Sequence, residues 1–464
     1  MAALIIEIGW KCLLSVLITV IASWLCPALL RFGESSFQAM VVVSFYIYCA
    51  VALFSFSPNK LFHALSIPVF TQFLHLFQKY DFAAGANSLW RLLPFLILDT
   101  YFCNFFVRSA FKMERGEQLF LVNWIGLNTL FLCISPNLGN VVLGAVVLTL
   151  VTLPSYFVYL RIAMQSSDFR YKLETYMCLL YIILGAGTFG LVLAGASYKG
   201  SENLLVTRNI TDTNITMAYF VLLWPFAIRF AKQQRWAAGL VTVLTSVFLG
   251  VVLFSFSRGA VLLIIPYLFV TLALSFGRWL LWLAVSALVL IMLGDSFTIP
   301  GIDNADLAYS WKLRFGDFAA HSNFAKLLET SGRGEIHAVA YKLFLESPVV
   351  GQGTGSFEVL GPGYREAHSL WYTLLAENGL AGTILMYSVF VQCGYVLFKA
   401  AAEGRMYQVL PLALLVYLIF NHTVGSVFVI IPAKSVTINC IAPVLLLCLY
   451  FYSKSMREPG ISNG

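Results

Sequence analysis

The sequence predicts an all-α polytopic membrane protein with 12–14 transmembrane helices and one long, partly helical loop. Its composition is the first reason, because a chain that is 60% hydrophobic and 11% charged could not cover the surface of a soluble protein. Repeated apolar runs of about 20 residues, long enough to cross a bilayer, are the second. An asymmetry of positive charge between alternate loops is the third.

The apolar runs give a set of expected spans along the chain. They are approximately 12–30, 38–57, 60–78, 89–107, 119–134, 139–160, 174–196, 215–229, 237–256, 259–276, 279–294, 368–398, 406–430 and 436–453. The first follows Lys11 with no clear cleavage site, so it is interpreted as a retained span rather than a signal peptide. The chain thus divides into N-terminal transmembrane helices at 1–294, a loop at 295–367, and C-terminal helices with a short tail at 368–464.

Basic residues test this arrangement. If the N-terminus is cytoplasmic, the loops on its side carry Lys60, Arg108, Lys112, Arg115, Arg161, Arg170, Lys172, Arg229, Lys232, Arg235, Arg278, Lys399, Arg405, Lys454 and Arg457. The short loops on the opposite side carry only Arg31, Lys79, Arg91, Lys199, Arg208, Arg258 and Lys434. By the positive-inside rule both termini are cytoplasmic and residues 295–367 are external.

The long external loop has a pattern of its own. Apolar residues recur at helical spacing at Ile336, Ala340, Leu343 and Phe344, which predicts a helix that begins near 332–334 and ends at Pro348. A glycine-rich run, 351-GQGTGS-356, follows and could bring backbone amides close to an anion or serve as a plain turn. The earlier segment 311–328 alternates aromatic and basic residues, as in a segment that lies on a lipid surface.

Three residues on the external side are the candidates for chemistry: Arg258, Arg333 and His368. A histidine titrates near neutral pH and can act as a general base, although an interfacial histidine can also simply cap a helix. A guanidinium matches phosphate oxygens with two parallel hydrogen bonds, which lysine cannot do. Arg258 could alternatively extend to the lipid headgroups from its turn. Together the three residues suggest transfer from a lipid-borne diphosphate.

Other residues near this cluster are candidates for substrate-binding or supporting positions. Gly353 lies in the glycine-rich run, and Tyr372 lies one turn below His368 at the membrane interface. Glu377 lies within the apolar span, where a carboxylate needs a partner or a proton; Asp99 in the fourth span raises the same question. No Asp-x-Asp pair and no cysteine–histidine cluster occurs, so a metal site is not expected and positive charge would come from the arginines.

The order of these motifs resembles that of the bacterial O-antigen ligase family. The resemblance rests on Ser257-Arg258-Gly259 at a span end, on Arg333 at the start of the loop helix, and on the motif at His368, Tyr372, Leu375, Glu377 and Gly379. It covers about residues 210–430. Ser369 stands where many members of the family have asparagine after the histidine.

The resemblance implies a metal-independent, inverting glycosyltransferase with a GT-C-like fold and no cofactor. Such an enzyme lies in the bacterial inner membrane with its active site on the periplasmic face. It moves a glycan from an undecaprenyl-diphosphate donor to lipid A-core, with membrane lipids around it and no nucleic acid. By position, His368 looks like the base that activates the acceptor, and Arg258 and Arg333 look like the residues that bind the diphosphate. We expect a monomer or a weak oligomer.

The sequence also leaves other functions open, including a receptor or scaffold, which would not need the arginine–histidine cluster. A polymerase would pass the glycan to another lipid-linked repeat unit, but polymerases of this family often have a second sizeable external loop. Here the loop 197–214 is short and has Arg208 as its only arginine, which favours the ligase. A flippase or secondary transporter would show repeated broken helices with ionisable groups at depth, and the sequence has no visible repeat.

Overall fold

The computed structural model describes residues 1–26, 36–73, 89–109, 113–193, 213–254, 258–276, 333–364, 366–402, 404–423 and 441–456. Within these residues the regular elements are helices and no strand occurs, so the all-α prediction is confirmed. Each predicted span overlaps a helix except 279–294, which lies outside the described residues, as do the segment 311–328 and most of the predicted external loop at 295–367.

The helices are numbered in chain order. They are α1 (Ala2–Leu25), α2 (Ser36–Phe54), α3 (Lys60–Phe73), α4 (Leu89–Arg108), α5 (Arg115–Cys133), α6 (Leu138–Gly144), α7 (Leu153–Ala163), α8 (Phe169–Leu193), α9 (Thr213–Lys232), α10 (Ala237–Phe254), α11 (Arg258–Phe276), α12 (Arg333–Glu346), α13 (Phe357–Leu360), α14 (Leu370–Ala401), α15 (Val409–Thr423) and α16 (Ile441–Ser455). A π-helix at Ala145–Thr152 joins α6 to α7, and a short 3₁₀ helix at Arg405–Gln408 precedes α15.

Several described helices have the length and hydropathy to cross a membrane, which confirms a polytopic membrane protein. They are Ala2–Leu25, Leu138–Ala163, Gly259–Phe276 and Leu370–Ala401. The shorter helices at Ala39–Phe54, Gly239–Val252, Val409–Thr423 and Ile441–Ser455 are also apolar.

The chain packs as two compact units, each made of separate stretches of sequence. One comprises Met1–Leu173, Ile336–Phe390 and Phe428–Gly464, and the other comprises Glu174–Glu335 and Val391–Val427. These units reflect packing, whereas the division predicted from sequence at 294 and 367 reflects the order of spans and loop, and it stays a prediction. His368 belongs to the first unit and Arg333 to the second.

The first helix begins ten residues earlier than the predicted span because its charged residues are paired. Glu7 and Lys11 form an ion pair at 2.7 Å one turn apart, and Lys11 is buried. The same Glu7 carboxylate lies 3.0 Å from Nε2 of His63 on α3 and accepts a hydrogen bond from Asn59. A charged pair with these partners can be buried where an isolated charge could not.

In the first unit, the ends of α5, α7 and α16 meet in a charged cluster. Arg161 Nε lies 3.1 Å from Oε1 of Glu117, and Lys454 Nζ lies 2.9 Å from the same oxygen. Glu114, which is more exposed, contacts both cations at 3.3 Å. Arg161 and Lys454 are both among the residues predicted on the cytoplasmic side, and that topology stays a prediction.

In the second unit, an ion pair and a cation–π contact likewise join helix ends that are predicted to be cytoplasmic. Arg229 near the end of α9 lies 3.3 Å from the carboxylate of Glu174 on α8, and its guanidinium stacks over the ring of Tyr407 at 4.5 Å. Deeper in this unit, the indole of Trp224 donates to Thr271 on α11. These contacts join α8, α9, α11 and the 3₁₀ helix.

Helix α14 is not continuous, although the sequence predicted one uninterrupted span. Gly379 has φ 59° and ψ −159°, which breaks the helical hydrogen-bond ladder. The segment 348–353 fills the break with its own backbone. The amides of Leu380 and Ala381 donate to the carbonyls of Pro348 and Val349, and the carbonyls of Ala376 and Glu377 accept from the amides of Gln352 and Gly353. Unpaired backbone groups inside a membrane protein need such partners.

We predict that Glu117→Ala will destabilise the protein by about 3 kcal/mol, because it removes the inner carboxylate that two largely buried cations share. Glu114→Ala is the matched control. Its side chain is 59% exposed, and we expect a cost of about 1 kcal/mol or less. Unfolding of the two variants in the same detergent measures the difference, and equal destabilisation would contradict the assignment of Glu117 as the inner partner.

Candidate active site

His368 lies two residues before α14, at the end of the loop that is predicted to be external. Its backbone has φ 52°, which is uncommon for a residue other than glycine, and it is the one such residue among those the structure describes. Its side chain is 30% exposed and can therefore contact a substrate. A strained backbone that persists at an accessible titratable residue is typical of functional sites.

Local hydrogen bonds fix this junction. The amide of Ala367 donates to Oγ1 of Thr373 at 3.2 Å, and that hydroxyl donates in turn to the carbonyl of Ser369 at 2.8 Å. The Thr373 side chain thus joins the residue before His368 to the first turn of α14. Thr373 was not predicted from the sequence, because a threonine in an apolar span carries no distinct signal.

A carboxylate and an aromatic ring stand beside the imidazole of His368. Oε1 of Glu366 lies 3.7 Å from Nδ1 of His368, and the Glu366 side chain is 5% exposed. The ring of Tyr364 meets the imidazole edge-on, with centroids 5.8 Å apart. Glu366 was not predicted from the sequence either. The available signal was a carboxylate two residues before a candidate base.

Tyr372 was predicted as a supporting residue, and the structure places its ring against another histidine. The rings of Tyr372 and His337 stack at 4.3 Å with 14° between their planes. Around them lies an apolar cluster that contains Ile336, Ala340 and Leu343 of α12. This confirms the predicted helix after 332–334, which ends at Glu346 just before Pro348. Packing of α12 against the start of α14 holds the region of His368.

The glycine-rich run packs tightly against the backbone of its neighbours. Gly351, Gly353 and Gly355 all have positive φ. A Cβ atom on Gly353 would lie 2.5 Å from the Cα of Ser135, and one on Gly351 would lie 2.4 Å from the carbonyl carbon of Glu377. Glycine is required here for close approach as well as for φ.

The amides of this run donate to the protein itself. The amide of Thr354 donates to the carbonyl of Phe131 at 2.9 Å, and the amide of Gly355 donates to the carboxylate of Glu377 at 3.0 Å. With Gln352 and Gly353 already bonded to α14, four successive amides have internal acceptors. Of the two interpretations of the run, this geometry favours the structural turn over the anion cradle.

Glu377 has the partners that a buried carboxylate requires. One oxygen accepts from Gly355, and the other accepts from the amide of Phe357 at 3.4 Å, at the start of α13. Glu377 thereby ties the glycine-rich run to α14, next to the break at Gly379. Its side chain is buried, so this geometry gives it a supporting position.

The turn between α5 and α6 also holds the glycine-rich run in place. Oγ of Ser135 donates to the carbonyl of Thr354 at 2.7 Å, and Nδ2 of Asn137 donates to the carbonyl of Gly355 at 2.9 Å. These contacts join residues more than 200 positions apart. No sequence signal marked either residue, because a short polar turn between two spans is common.

A small cavity lies next to Glu377. Its volume is about 40 Å³, and its wall includes Trp124, Asn128, Thr149, Thr354, Glu377 and Asn378. This volume holds about two or three water molecules and is far below the roughly 300–1,000 Å³ of ordinary ligand pockets. The cavity is therefore not a site for a sugar.

The arginines are described in part. Arg333 is the first residue of α12, and its Nη1 donates to the carbonyl of Thr423 at the end of α15. Arg258 begins α11, but its side chain lies outside the described residues, as does Arg208. Within the described part of the chain, no group of three or more histidine, cysteine, aspartate or glutamate side chains could hold a metal ion.

Comparison with known families adds one finding. Residues 240–387 match a family model described as O-Antigen ligase. The match is shorter than the 210–430 expected from the sequence motifs, but it contains Arg258, Arg333, Gly353, His368, Tyr372 and Glu377. Comparisons with curated proteins and with solved structures found no match.

We predict that Gly353→Ala will lower the thermal unfolding midpoint well below that of Gly363→Ala. The two glycines have nearly equal φ, 93° and 90°, so each substitution incurs a similar backbone strain. Gly353 faces backbone atoms at 2.5–2.8 Å, whereas nothing lies within 4 Å of a Cβ on Gly363. Equal shifts in detergent would show that the close approach of the run to α5 does not contribute to stability.

Proposed function

We propose that this protein, whose residues 240–387 match a family model described as O-Antigen ligase, is a membrane glycosyltransferase that moves an O-antigen glycan from undecaprenyl diphosphate to lipid A-core. The reaction takes place on the periplasmic face of the bacterial inner membrane, with both termini in the cytoplasm. The family match supports the reaction class, and the sequence motifs support the donor and the acceptor.

The observation that carries the proposal is the position of His368. Its imidazole is partly exposed, lies at the end of the external loop, and is held at the start of an apolar helix within the matched domain. A general base at a membrane surface can meet an acceptor hydroxyl and a lipid-linked donor at the same place. This is the geometry that transfer between two lipid-anchored molecules requires.

In the proposed step, Nε2 of His368 takes the proton of an acceptor hydroxyl. The oxygen attacks the anomeric carbon from the face opposite the diphosphate, and the bond between that carbon and the diphosphate oxygen breaks. The configuration inverts, and the diphosphate leaves with the bonding electrons. Fixed positive charge lowers the barrier because negative charge develops on the leaving group.

The donor diphosphate is assigned to Arg258 and Arg333, and this assignment rests on the family resemblance and on guanidinium chemistry. No metal ion or cofactor is part of the proposed step. Gly353, Tyr372 and Glu377 act as supporting residues. This role is consistent with the hydrogen bond from the glycine-rich run to Glu377 and with the packing of Tyr372 against α12. Arg208 stays a candidate from the sequence.

A polymerase would use the same chemistry with a second lipid-linked glycan as acceptor. The short loop at 197–214 favours the ligase, and a lipid A-core acceptor is therefore proposed. We expect the enzyme to work as a monomer or a weak oligomer.

The break in α14 favours the transporter, since discontinuous helices form ion and substrate sites in that class. In this chain the freed backbone groups bond to residues 348–353 rather than line an open site. This favours a fixed support over a transport path.

We predict that purified protein will transfer glycan from an undecaprenyl-diphosphate donor to lipid A-core. His368→Gln, which keeps a polar side chain but has no basic nitrogen, should lower the rate by about 10²–10⁴-fold. The assay has two arms, one with lipid A-core and one with donor alone. Chain growth on the donor alone would indicate a polymerase, and no transfer in either arm would support the transporter.

We also predict that Arg333→Lys will lose nearly as much activity as Arg333→Ala. Lysine keeps the charge and can still donate to the Thr423 carbonyl, but it loses the two parallel hydrogen bonds to phosphate oxygens. The same substitution at the exposed Arg115 is the matched control and should leave transfer unchanged. Full activity with Arg333→Lys would reduce the role of Arg333 to its contact with α15.

A further inference from the structure

The carboxylate beside His368 is placed to act on the imidazole. Glu366 and His368 flank Ala367, whose amide is held by Thr373, so the backbone between the two side chains is fixed. Oε1 of Glu366 lies 3.7 Å from Nδ1 of His368, the nitrogen nearer the backbone. If Nδ1 faces a carboxylate, it carries the proton of the neutral ring, and Nε2 is left as the basic atom.

The side chains of Glu366 and His368 differ in burial, and the difference suits a carboxylate that acts on the imidazole. Glu366 is 5% exposed, whereas His368 is 30% exposed. A carboxylate shielded from water acts more strongly on a neighbouring charge than an exposed one. The histidine remains open to a substrate on one side and faces the carboxylate on the other.

The backbone conformation of His368 also indicates that the imidazole is held beside Glu366. A φ of 52° costs about 1–2 kcal/mol for a residue with a Cβ, so the surrounding contacts must enforce it. The Thr373 hydroxyl and the edge-on ring of Tyr364 are two such contacts. They place the imidazole next to Glu366 instead of leaving it to rotate at the surface.

We propose that Glu366 is a positioning residue for His368, which fixes the tautomer of the imidazole and stabilises the imidazolium that forms when His368 takes a proton. The inference rests on the proposed function, because it assigns a second residue to the same base. The proton passes from the acceptor hydroxyl to Nε2 and stays on the imidazole, while Glu366 remains a carboxylate throughout. The separation of 3.7 Å shortens to a hydrogen bond as the ring becomes charged.

Two other buried carboxylates, Glu358 and Glu377, lie in the same unit as Glu366. Glu377 is occupied by the amides of Gly355 and Phe357, and Glu358 accepts from Nδ2 of Asn137 at 3.5 Å. These two carboxylates therefore serve the glycine-rich run and the α5–α6 turn, and Glu366 is the partner assigned to the imidazole.

The test is the dependence of the transfer rate on pH for Glu366→Gln. A base works when it is neutral, so the rate rises as pH increases through the pKa of the imidazole. Removing the negative charge of Glu366 lowers that pKa. The rising part of the curve of rate against pH, called the rising limb below, therefore moves to lower pH. The maximal rate should fall at least about tenfold but less than with His368→Gln, and the KM for the donor should not change.

Two variants keep the result decisive. Glu366→Asp retains the charge, so its rising limb should stay at the wild-type pH even if its maximal rate is lower. Glu358→Gln makes the same chemical change at another buried carboxylate, and its amide oxygen can still accept from Asn137. Its maximal rate and the pH of its rising limb should therefore match the wild type. A purely structural role for Glu366 would lower activity equally at every pH and leave the limb in place.

The outcomes separate the two proposals. If the wild type transfers glycan, His368→Gln does not, and Glu366→Gln has the rate and pH profile of the wild type, the role of Glu366 is overturned and that of His368 stands. If Glu366→Gln does not fold, a shifted limb in Glu366→Asp overturns it equally. If the wild type does not transfer glycan, or His368→Gln keeps full activity, the proposed function itself is wrong.

Discussion

The break in α14 at Gly379 is the constraint on which the rest of the site depends. A helix interrupted inside an apolar unit exposes amides and carbonyls that need partners, and residues 348–353 supply them. Once this segment lies in the break, its position determines where α12 ends and where the glycine-rich run begins. Both elements then pack beside the first turns of α14, which begins two residues after His368.

Glycine makes this packing sterically feasible. Gly351 and Gly379 approach each other so closely that a Cβ on Gly379 would lie 2.5 Å from the amide nitrogen of Gly351. No other residue type fits between two backbones at that distance with φ of 59° and 69°. The side chains that follow, Glu377 and the Ser135–Asn137 turn, secure a geometry that the backbone has already defined.

Polar groups in this protein are buried where they have several partners. Glu7, Lys11 and His63 interact with one another on α1 and α3, and Glu117 in the first turn of α5 binds two cations. Asp99 accepts from Thr152 at 2.9 Å through one oxygen, while its other oxygen has no hydrogen-bond partner among the described residues. The structure thus gives the Asp99 carboxylate one hydrogen-bond partner within its span, and no function is assigned to it.

The sequence by itself determined the all-α polytopic class, the order of the spans, the helix before Pro348 and the candidate base, because hydropathy, charge bias and helical periodicity are local properties of the chain. It did not reveal the early start of α1, the break at Gly379 or the contacts of Glu377 and Glu366. Each of these depends on residues far apart in sequence or on a backbone angle that nothing local requires. Only the tertiary structure could decide them, because pairing a buried charge or filling a broken helix needs a partner from another part of the chain.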